Sequence, residues 1–319
     1  MIKKILEIYK RKLFNRCDDN GAIFYFSHTD YRDLNAEDYE FTSSKGYKLK
    51  GKFYFYDKHK HNHIIIFEHG MGGGHLSYFK EIELLAKKGF KVFAYDHSGC
   101  MESEGPSTGG FCQSLCDLND CLNALKNDPN FKKCDFSVIG HSWGAFSTLN
   151  IAKYHNDIKH IIAISGFISL KQMLSQMFGS FFKKTQVEIY NLEKESNPEF
   201  VDCDATESLN DYKGKCLIIH SIDDKTVKAK FHFNPLYEKF NSKENFHFLL
   251  TQNKNHNPNY TEEAVIYKDK FFKEYVKVLK KGLLNTTEQK ENFKIKFNWQ
   301  KMTQQDPLVW KEIFKILEK

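Results

Sequence analysis

The sequence predicts an α/β fold in which helices cover both faces of a mostly parallel sheet. From residue 63 to residue 251, short apolar runs alternate with stretches of helical periodicity, and strands joined by single helices form parallel sheets with right-handed crossovers. Ahead of this alternation, DYEFTSS and YKLKGKFYFYD have the two-residue period of half-buried strands. Lys45 and Gly46 form a turn between them, so we expect the sheet to start with an antiparallel hairpin.

Each predicted strand ends at a polar or glycine-rich segment. The strands that follow the hairpin are the runs HIIIFE, FKVFAYD, CDFSVIG, IKHIIAIS, KCLIIHS and ENFHFLLT. The predicted helices between them cover about residues 75–88, 111–126, 143–154 and 233–240. Because ligands bind at the carboxyl edge of the strands in open α/β sheets, we expect the functional residues in the segments that follow the strands.

Two longer stretches define the predicted domain layout. Residues 167–212 lie between two strands but are too long for one crossover helix, so we interpret them as a mostly helical insertion and candidate lid. Residues 261–319 form a C-terminal helical extension. The layout is therefore an N-terminal segment, residues 1–37, followed by one domain over residues 38–319.

The first fourteen residues, MIKKILEIYKRKLF, predict an amphipathic helix. Their apolar side chains fall on one helical face, with basic side chains elsewhere. The apolar residues are Ile2, Ile5, Leu6, Tyr9 and Leu13. The basic residues interrupt any apolar core, which argues against a secretory signal, and the helix is too short to span a bilayer, so we expect a cytoplasmic protein. We favour docking of this helix on its own domain over binding to a membrane surface.

Composition and charge argue against several classes of function and partner. The 319 residues are 41% hydrophobic, enough for the core of one large domain. The net charge of +6 is spread along the chain, so no nucleic-acid partner is expected. Cys112, Cys116 and Cys121 have no histidines at zinc-ligand spacing, so we expect the eight cysteines to be buried thiols in a reducing compartment, with no metal ion. The alternating histidines of HKHNH are interpreted as a solvated turn: His59, His61 and His63.

The stretch GHSWG, Gly140 to Gly144, has the pattern G-x-S-x-G at a predicted strand–turn–helix junction. A side chain two residues before or after Ser142 would clash in so sharp a turn, which explains the two glycines. A serine hydroxyl is a weak nucleophile that needs an exposed position and a base within hydrogen-bond reach. Ser142 is therefore the candidate nucleophile, and a turn residue without a chemical role is the alternative.

Two backbone N–H groups are candidates for binding the oxyanion that forms when a serine attacks a carbonyl. Trp143 N–H begins the helix after Ser142, and a helix N-terminus favours negative charge. Met71 N–H lies in HGMGGGH, where glycines allow the backbone to approach a ligand closely. HGMGGGH lacks the G-K-[ST] ending of a P-loop, so nucleotide binding is not expected.

These segments resemble the α/β-hydrolase superfamily over nearly the whole chain, from about Asp38 to the last helix. The similar motifs are HGMGGG, YDHSGCMESEG, GHSWG, HSIDDKTV and NKNHNP. The resemblance implies that the acid lies in HSIDDKTV, with Asp224 favoured and Asp223 as the alternative. It implies His256 as the base, preceded by Asn255 where the family usually has glycine. The implied activity is that of a cofactor-free serine hydrolase of the esterase/lipase or serine-aminopeptidase-like branch.

The candidate lid gives two hints about the substrate. Apolar residues at near-helical spacing could form an adaptable wall for an acyl chain, although such stripes more often belong to the core. The candidates for substrate contact are Met173, Met177, Phe178 and Phe181. Glutamates on the same stretch could bind a peptide amino terminus or be exposed helix charges. They are Glu188, Glu193, Glu195 and Glu199.

The sequence thus predicts a carboxylesterase that cleaves a small-molecule ester through Ser142, His256 and Asp224 by way of an acyl-enzyme. The alternatives are an aminopeptidase or amidase with the same residues, and a non-catalytic binding protein on a hydrolase scaffold. Dehalogenase-type and epoxide-hydrolase-type members of the fold have aspartate at the elbow, so Ser142 argues against both. The natural substrate and the oligomeric state stay open, because fold and catalytic residues do not fix them.

Overall fold

The computed structural model describes residues 2–18, 26–60 and 62–318, with a central sheet of eight strands. In chain order the strands are β1 (Asn35–Thr42), β2 (Lys48–Phe55), β3 (His63–Glu68), β4 (Lys91–Tyr95), β5 (Asp135–His141), β6 (His160–Ile164), β7 (Lys215–Ser221) and β8 (Phe246–Thr251). Their spatial order is β1-β2-β4-β3-β5-β6-β7-β8. β2 pairs antiparallel with β1 and β4, and the other neighbours pair parallel. The predicted mostly parallel sheet with an antiparallel N-terminal hairpin is confirmed.

The central strands are buried on both faces, and their alternate side chains enter two different cores. In β3, Ile64 and Ile66 belong to the larger core, whereas Ile65 and Phe67 belong to the second core, because successive side chains of a strand point to opposite faces. Burial of each such side chain contributes about 1.5–3 kcal/mol to the free energy of unfolding. The continuous apolar run of β3 therefore stabilises a sheet that has helices on both sides.

Helices cover both faces of the sheet, as the sequence predicts. They are α1 (Ile2–Leu13), α2 (Phe79–Lys87), α3 (Gln113–Asn127), α4 (Trp143–Asn150), α5 (Leu170–Phe178), α6 (Lys183–Ser196), α7 (Ala205–Ser208), α8 (Ala229–Phe240), α9 (Glu262–Lys280), α10 (Thr287–Lys294), α11 (Trp299–Met302) and α12 (Pro307–Leu317). The larger core takes apolar side chains from α3, α4 and α8, and the second core takes them from α2 and α12. Side chains of α9, α10 and α11 form a smaller cluster around Phe271.

Three helices differ from their predicted ranges at the ends. The helix predicted to start at His75 begins as a 3₁₀ turn, His75–Tyr78. The Asp96 carboxylate fixes this turn, since its Oδ1 lies 2.9 Å from His75 N and 2.8 Å from His75 Nδ1. α4 ends in a 3₁₀ turn, Ile151–Lys153, and α8 begins earlier than predicted, at Ala229.

The N-terminal helix α1 packs against the rest of the domain. Tyr9 is buried on its inner face and its hydroxyl donates a 2.5 Å hydrogen bond to Glu193 Oε1 in α6. Residues 1 and 19–25 of the predicted N-terminal segment lie outside the described residues, as does His61. No helix in the described part of the chain combines the length and the apolar character that crossing a membrane requires.

Between β6 and β7 the chain forms the helices α5, α6 and α7. Ser169 caps α5 by accepting a hydrogen bond from Gln172 N–H at 3.3 Å. Gly179, with a φ of 62°, ends this helix, and α6 then packs on both α5 and α1. The stretch 167–212 is therefore helical, and its role as a lid stays a prediction.

Candidate active site

Ser142 lies at the turn between β5 and α4 with a φ of 56°. This left-handed conformation is unfavourable for a residue with a Cβ, and the surrounding glycines make room for the turn. A Cβ on Gly140 would lie 2.3 Å from Gly144 O, and a Cβ on Gly144 would lie 2.3 Å from Glu68 O. The tight packing thus requires glycine at both positions, while Ser142 itself borders a cavity.

A hydrogen-bonded chain connects Ser142, His256 and Asp224. Ser142 Oγ lies 2.8 Å from His256 Nε2, and His256 Nδ1 lies 2.7 Å from Asp224 Oδ2. When Nδ1–H donates to the carboxylate, Nε2 is free to accept the serine proton. The loops after β5, β7 and β8 therefore bring together a hydroxyl, an imidazole and a carboxylate in the order that activation of a serine needs.

The two adjacent aspartates after β7 face different partners. Oδ1 of the buried Asp224 accepts hydrogen bonds from two backbone N–H groups of the following turn at 2.8 and 2.9 Å, which leaves Oδ2 for His256. Asp223 Oδ2 instead accepts a 3.1 Å hydrogen bond from Asn255 N–H. Asp224 thus contacts the imidazole, whereas Asp223 holds the backbone just before it.

The loop that carries His256 has left-handed backbone at two asparagines. Asn253 and Asn255 have φ values of 60° and 46°. Asparagine tolerates this region better than most residues because its short side chain can hydrogen-bond the nearby backbone. Asn255 Oδ1 also accepts a 3.1 Å hydrogen bond from Lys225 N–H. Asparagine therefore serves at the position where the resemblance leads one to expect glycine.

His141, directly before Ser142, holds the same loop from the other side. His141 Nε2 lies 2.7 Å from His256 O, and His141 Nδ1 lies 2.9 Å from Tyr78 Oη. Burial lowers the pKa of His141 well below its ordinary value, and the nearby His256 adds to the effect. The neutral ring donates from Nε2 to the carbonyl and accepts from the tyrosine hydroxyl at Nδ1. Sequence analysis missed this contact because its partners are 115 residues apart.

The two candidate oxyanion donors, Met71 N–H and Trp143 N–H, belong to residues that border the same cavity. Trp143 is the first residue of α4, so its N–H is one of those that a helix leaves without an intrahelical acceptor. The loop of Met71 is held by Asp96 and is packed so tightly that a Cβ on Gly74 would lie 2.3 Å from Asp96 Oδ1. Both residues border the cavity together with Ser142, and oxyanion binding by their amides stays a prediction.

A buried ionic cluster that the sequence analysis did not identify lies beside α4. His97 Nε2 is 3.4 Å from Glu68 Oε2, and His97 Nδ1 is 3.3 Å from Asp117 Oδ2. Burial raises the pKa of Glu68 to about 7. Burial alone would lower the pKa of His97, but the two carboxylates raise it overall. The His97 ring also packs 4.8 Å from the Trp143 ring, so this cluster helps to fix the start of α4. The one available signal was a polar residue at or just after the carboxyl end of each of two apolar strands, Glu68 and His97.

The cavity beside Ser142 has a volume of about 520 Å³ and a largely apolar wall. Met173 and Met177 of α5 border it. Phe178 and Phe181 do not border it, and substrate contact by any of these four residues stays a prediction. Phe178 packs against the larger core, and Phe181 is 95% exposed because α5 ends before it at Gly179.

The glutamates of the insertion do not border this cavity. Three of them are exposed: Glu188, Glu195 and Glu199. Glu193 is fully buried, and its interpretation as an exposed helix charge was wrong. Its carboxylate accepts hydrogen bonds from Tyr9 Oη, from Phe111 N–H at 2.9 Å and from Cys112 N–H at 3.2 Å. It therefore ties α6 to α1 and to the segment before α3.

The cysteines contribute no reactive group to this site. All eight lie in the described part of the chain; seven are buried, and none forms a disulfide. Over the described residues, no three His, Cys, Asp or Glu side chains form a group that could hold a metal ion.

Comparisons with known proteins agree with the fold. Residues 63–196 match the family model of the alpha/beta hydrolase fold, whereas no curated protein matches the sequence. Esterase Pf2001 of Pyrococcus furiosus is 22% identical, with a TM-score of 0.59 over 84% of this chain and 98% of its own. Acylaminoacyl peptidase of Pyrococcus horikoshii is 17% identical, with a TM-score of 0.55 over 75% of this chain and 39% of its own. Alpha/beta hydrolase GrgF of Penicillium sp. sh18 is 15% identical, with a TM-score of 0.52 over 70% of this chain and 91% of its own.

At these low identities the solved structures share the fold, and their activities are their own. The family match runs from β3 through α6 and includes the turn at Ser142. The resemblance seen in the sequence is thereby confirmed. Residues 63–196 match the α/β-hydrolase family, and the chain as a whole has the α/β-hydrolase fold.

Proposed function

We propose that the protein is a serine hydrolase that cleaves a carboxylic ester, with Ser142 as nucleophile, His256 as base and Asp224 as acid. The observation that carries the proposal is the hydrogen-bonded chain from Ser142 Oγ through the imidazole of His256 to Asp224. This chain opens into a cavity whose apolar wall suits an acyl group. The shared fold with an esterase is consistent with the proposal.

In the first half of the reaction, Ser142 Oγ attacks the ester carbonyl carbon while His256 Nε2 takes the hydroxyl proton. The carbonyl electron pair moves onto its oxygen. Met71 N–H and Trp143 N–H donate hydrogen bonds to that oxyanion, and the N-terminus of α4 favours its charge. Asp224 stabilises the imidazolium through Nδ1–H. Collapse of the intermediate breaks the bond to the alcohol oxygen, which takes the proton from His256 Nε2.

In the second half, water attacks the carbonyl carbon of the acyl-enzyme. His256 Nε2 takes the water proton, and the same two amides bind the new oxyanion. Collapse breaks the bond to Ser142 Oγ, which recovers the proton from His256. The products are a carboxylic acid and an alcohol, and the side chains return to their starting protonation.

The charge of the cavity wall favours an ester over a peptide with a free amino terminus. An aminopeptidase needs a carboxylate to pair with the substrate ammonium. Among the described residues that border the cavity, none is Asp or Glu, and the one Lys or Arg is Lys268. The glutamates considered for this role lie elsewhere. A protonated amino terminus would therefore meet a cation and no carboxylate.

We further propose that α5 acts as part of a lid whose inner face contacts the acyl group. Met173 and Met177 supply that face. Methionine side chains are flexible and polarizable, so they adapt to acyl groups of different shape. This arrangement predicts tolerance of several acyl chain lengths.

A substrate panel tests the proposed reaction. Purified protein is offered p-nitrophenyl esters of acetate, butyrate and octanoate beside leucine and alanine p-nitroanilides. We expect turnover of at least one ester, a loss of about 10³-fold or more in kcat for Ser142→Ala, and no change for the exposed Ser242→Ala control. Preferential cleavage of the anilides would overturn the ester assignment. Ester turnover that survives Ser142→Ala would overturn the assignment of the nucleophile.

A further inference from the structure

Lys268 borders the Ser142 cavity, and its ammonium contacts Asn257, which borders the same cavity. Lys268 lies on α9, in the helical extension after the last strand, and borders the cavity together with Ser142 and His256. The neighbouring apolar wall includes Met173 and Phe272. A single cation in a mostly apolar, concave site fixes the orientation of a ligand that carries the opposite charge.

The direct partners of this ammonium carry no negative charge. Lys268 Nζ donates a 3.1 Å hydrogen bond to Asn257 Oδ1 and lies 4.5 Å from the centre of the Tyr260 ring. An ammonium has three N–H donors, and Asn257 accepts from one of them. Within the described residues, no carboxylate lies within 4.0 Å of Lys268 Nζ.

A second lysine, Lys254, differs from Lys268 in the partner of its ammonium group. Lys254 is buried, whereas Lys268 is partly buried, and the ammonium of Lys254 forms an ion pair with Asp306. Removing a charge from water costs several kcal/mol unless a partner compensates it. Glu81 is the carboxyl that most favours the charge of Lys268, but Glu81 Oε1 accepts a hydrogen bond from Asn259 Nδ2 at 3.1 Å. A ligand anion would supply the partner that Lys268 lacks.

Lys268 keeps its positive charge at neutral pH. Burial lowers the pKa of its ammonium to about 8, while Glu81 and Asp269 act against that shift. The hydrogen-bond partner of Lys268, Asn257, directly follows His256. The cation is therefore held by the residue that directly follows His256.

We propose that Lys268 is the specificity residue of this site and binds an anionic oxygen group of the substrate, so that the enzyme prefers esters carrying a carboxylate. The inference rests on the proposed function for the reaction, but the anion site itself does not require turnover. The anion can belong to the acyl half or to the alcohol half of the ester, and kinetics with matched esters distinguish the two cases.

Binding of a matched pair of small molecules tests the site directly. Isothermal titration compares hexanoate with hexanamide, which differ in charge and little in shape. For the wild type at pH 7 we expect hexanoate to bind at least about 10-fold more tightly, since charge-assisted hydrogen bonds are the stronger ones. We expect Lys268→Met to remove this preference and Lys268→Arg to keep most of it. The exposed Lys270→Met on the same helix is the control and should behave as wild type.

Equal binding of the two molecules by the wild type, or an unchanged preference in Lys268→Met, would overturn the proposal. A change of equal size in Lys270→Met would also overturn it, because the effect would then come from the overall charge. Circular dichroism of each variant shows whether it is folded, and Lys268→Arg keeps the test valid if Lys268→Met unfolds.

Kinetic measurements then show which half of the ester carries the anion that Lys268 binds. Phenyl hemisuccinate carries the carboxylate on the acyl half and 4-carboxyphenyl butyrate carries it on the alcohol half, with phenyl butyrate as the neutral reference. We expect Lys268→Met to lower kcat/KM for one of the two anionic esters about 10-fold or more beyond any loss that it causes for the neutral ester. Equal losses for all three esters would overturn the specificity role.

Labelling of the same preparations with a fluorophosphonate distinguishes this inference from the proposed reaction. Labelling of Ser142 without any Lys268-dependent preference overturns the anion site alone. Lys268-dependent binding of hexanoate without labelling overturns the hydrolase assignment and supports the anion site.

Discussion

The carbonyl oxygen of His256 lies 2.7 Å from Nε2 of His141, the residue directly before Ser142. The segment that presents the hydroxyl thus also holds the loop that presents the imidazole. Tyr78 completes this link through its hydrogen bond to His141 Nδ1. The relative position of Ser142 and His256 is therefore set by a direct contact between their own chain segments.

Replacement of His141 is expected to disturb this position without removing any reacting group. His141→Phe leaves the His256 carbonyl without its donor, and we expect the rate of fluorophosphonate labelling per folded molecule to fall about 10- to 100-fold, as small misplacements of reacting groups do. Tyr78→Phe should have a smaller effect, because the ring of His141 stays in place. An unchanged labelling rate in folded His141→Phe would show that the contact does not position the base.

The adjacent aspartates should respond very differently to the same substitution. Asp224→Asn removes the charge that contacts His256 Nδ1, and we expect a loss of about 10⁴-fold in kcat. Asp223→Asn weakens contacts to the loop backbone and to Ser221 Oγ but none to His256, so a loss of about 10-fold or less is expected. Ester kinetics on both variants make the comparison. A larger loss for Asp223→Asn would reverse the assignment of the acid.

The turn at Ser142 predicts a stability difference between two glycine substitutions. Gly144→Ala places a Cβ 2.3 Å from Glu68 O, and we expect the free energy of unfolding to fall by more than about 2 kcal/mol. Gly46→Ala serves as the control, because Gly46 has a φ of 81° but nothing within 4 Å of the added Cβ. Its cost should be about 1 kcal/mol, from backbone conformation alone. Urea unfolding measures both values, and equal costs would show that the turn can relax around a side chain.

Two histidines far from the site predict how stability depends on pH. His63 and His160 both hydrogen-bond Ser137 Oγ, at 2.7 and 2.8 Å, and burial lowers the pKa of each to about 4. The unfolded chain binds protons at these residues below about pH 6.5, while the folded chain does so only near pH 4. Their contribution to the free energy of unfolding is therefore fully present above pH 6.5 and is lost as the pH falls toward 4.

Urea unfolding at pH 7 and pH 5 checks this dependence by comparing the wild type with His160→Asn. We expect a smaller loss of stability between the two pH values in the variant, because one proton-binding residue is gone. The raised pKa of Glu68, about 7, gives the opposite dependence of stability on pH. The test is therefore the difference between the wild type and His160→Asn, and not the pH dependence of the wild type alone. An equal loss in both proteins would contradict the assignment to His160.

The sheet and the turn at Ser142 could be predicted because their signals are local. Each central strand is an apolar run followed by a polar or glycine-rich loop, and both glycines around Ser142 are required by contacts within a few residues or with the adjacent strand β3. The helical nature of the segment between β6 and β7 follows from the same local patterns.

Contacts between residues that are far apart in the chain could not be predicted from the sequence. The sequence around Glu193 predicts a surface charge on a helix. In the structure, however, Glu193 accepts a hydrogen bond from Tyr9, which is 184 residues away. Asp223 and Asp224 are chemically identical, and only the fold of the loop distinguishes their partners. Phe181 continues an apolar stripe in the sequence, but the end of α5 at Gly179 leaves it exposed.

The most direct test of the account is labelling with a fluorophosphonate, with the adduct located by peptide mass. We predict one adduct, on Ser142, that is absent in Ser142→Ala and forms far more slowly in His256→Ala and Asp224→Asn, while Ser242→Ala labels as the wild type does. Failure of the folded wild type to label, or an adduct on another residue, would contradict the claim that Ser142, His256 and Asp224 form the catalytic centre of this protein.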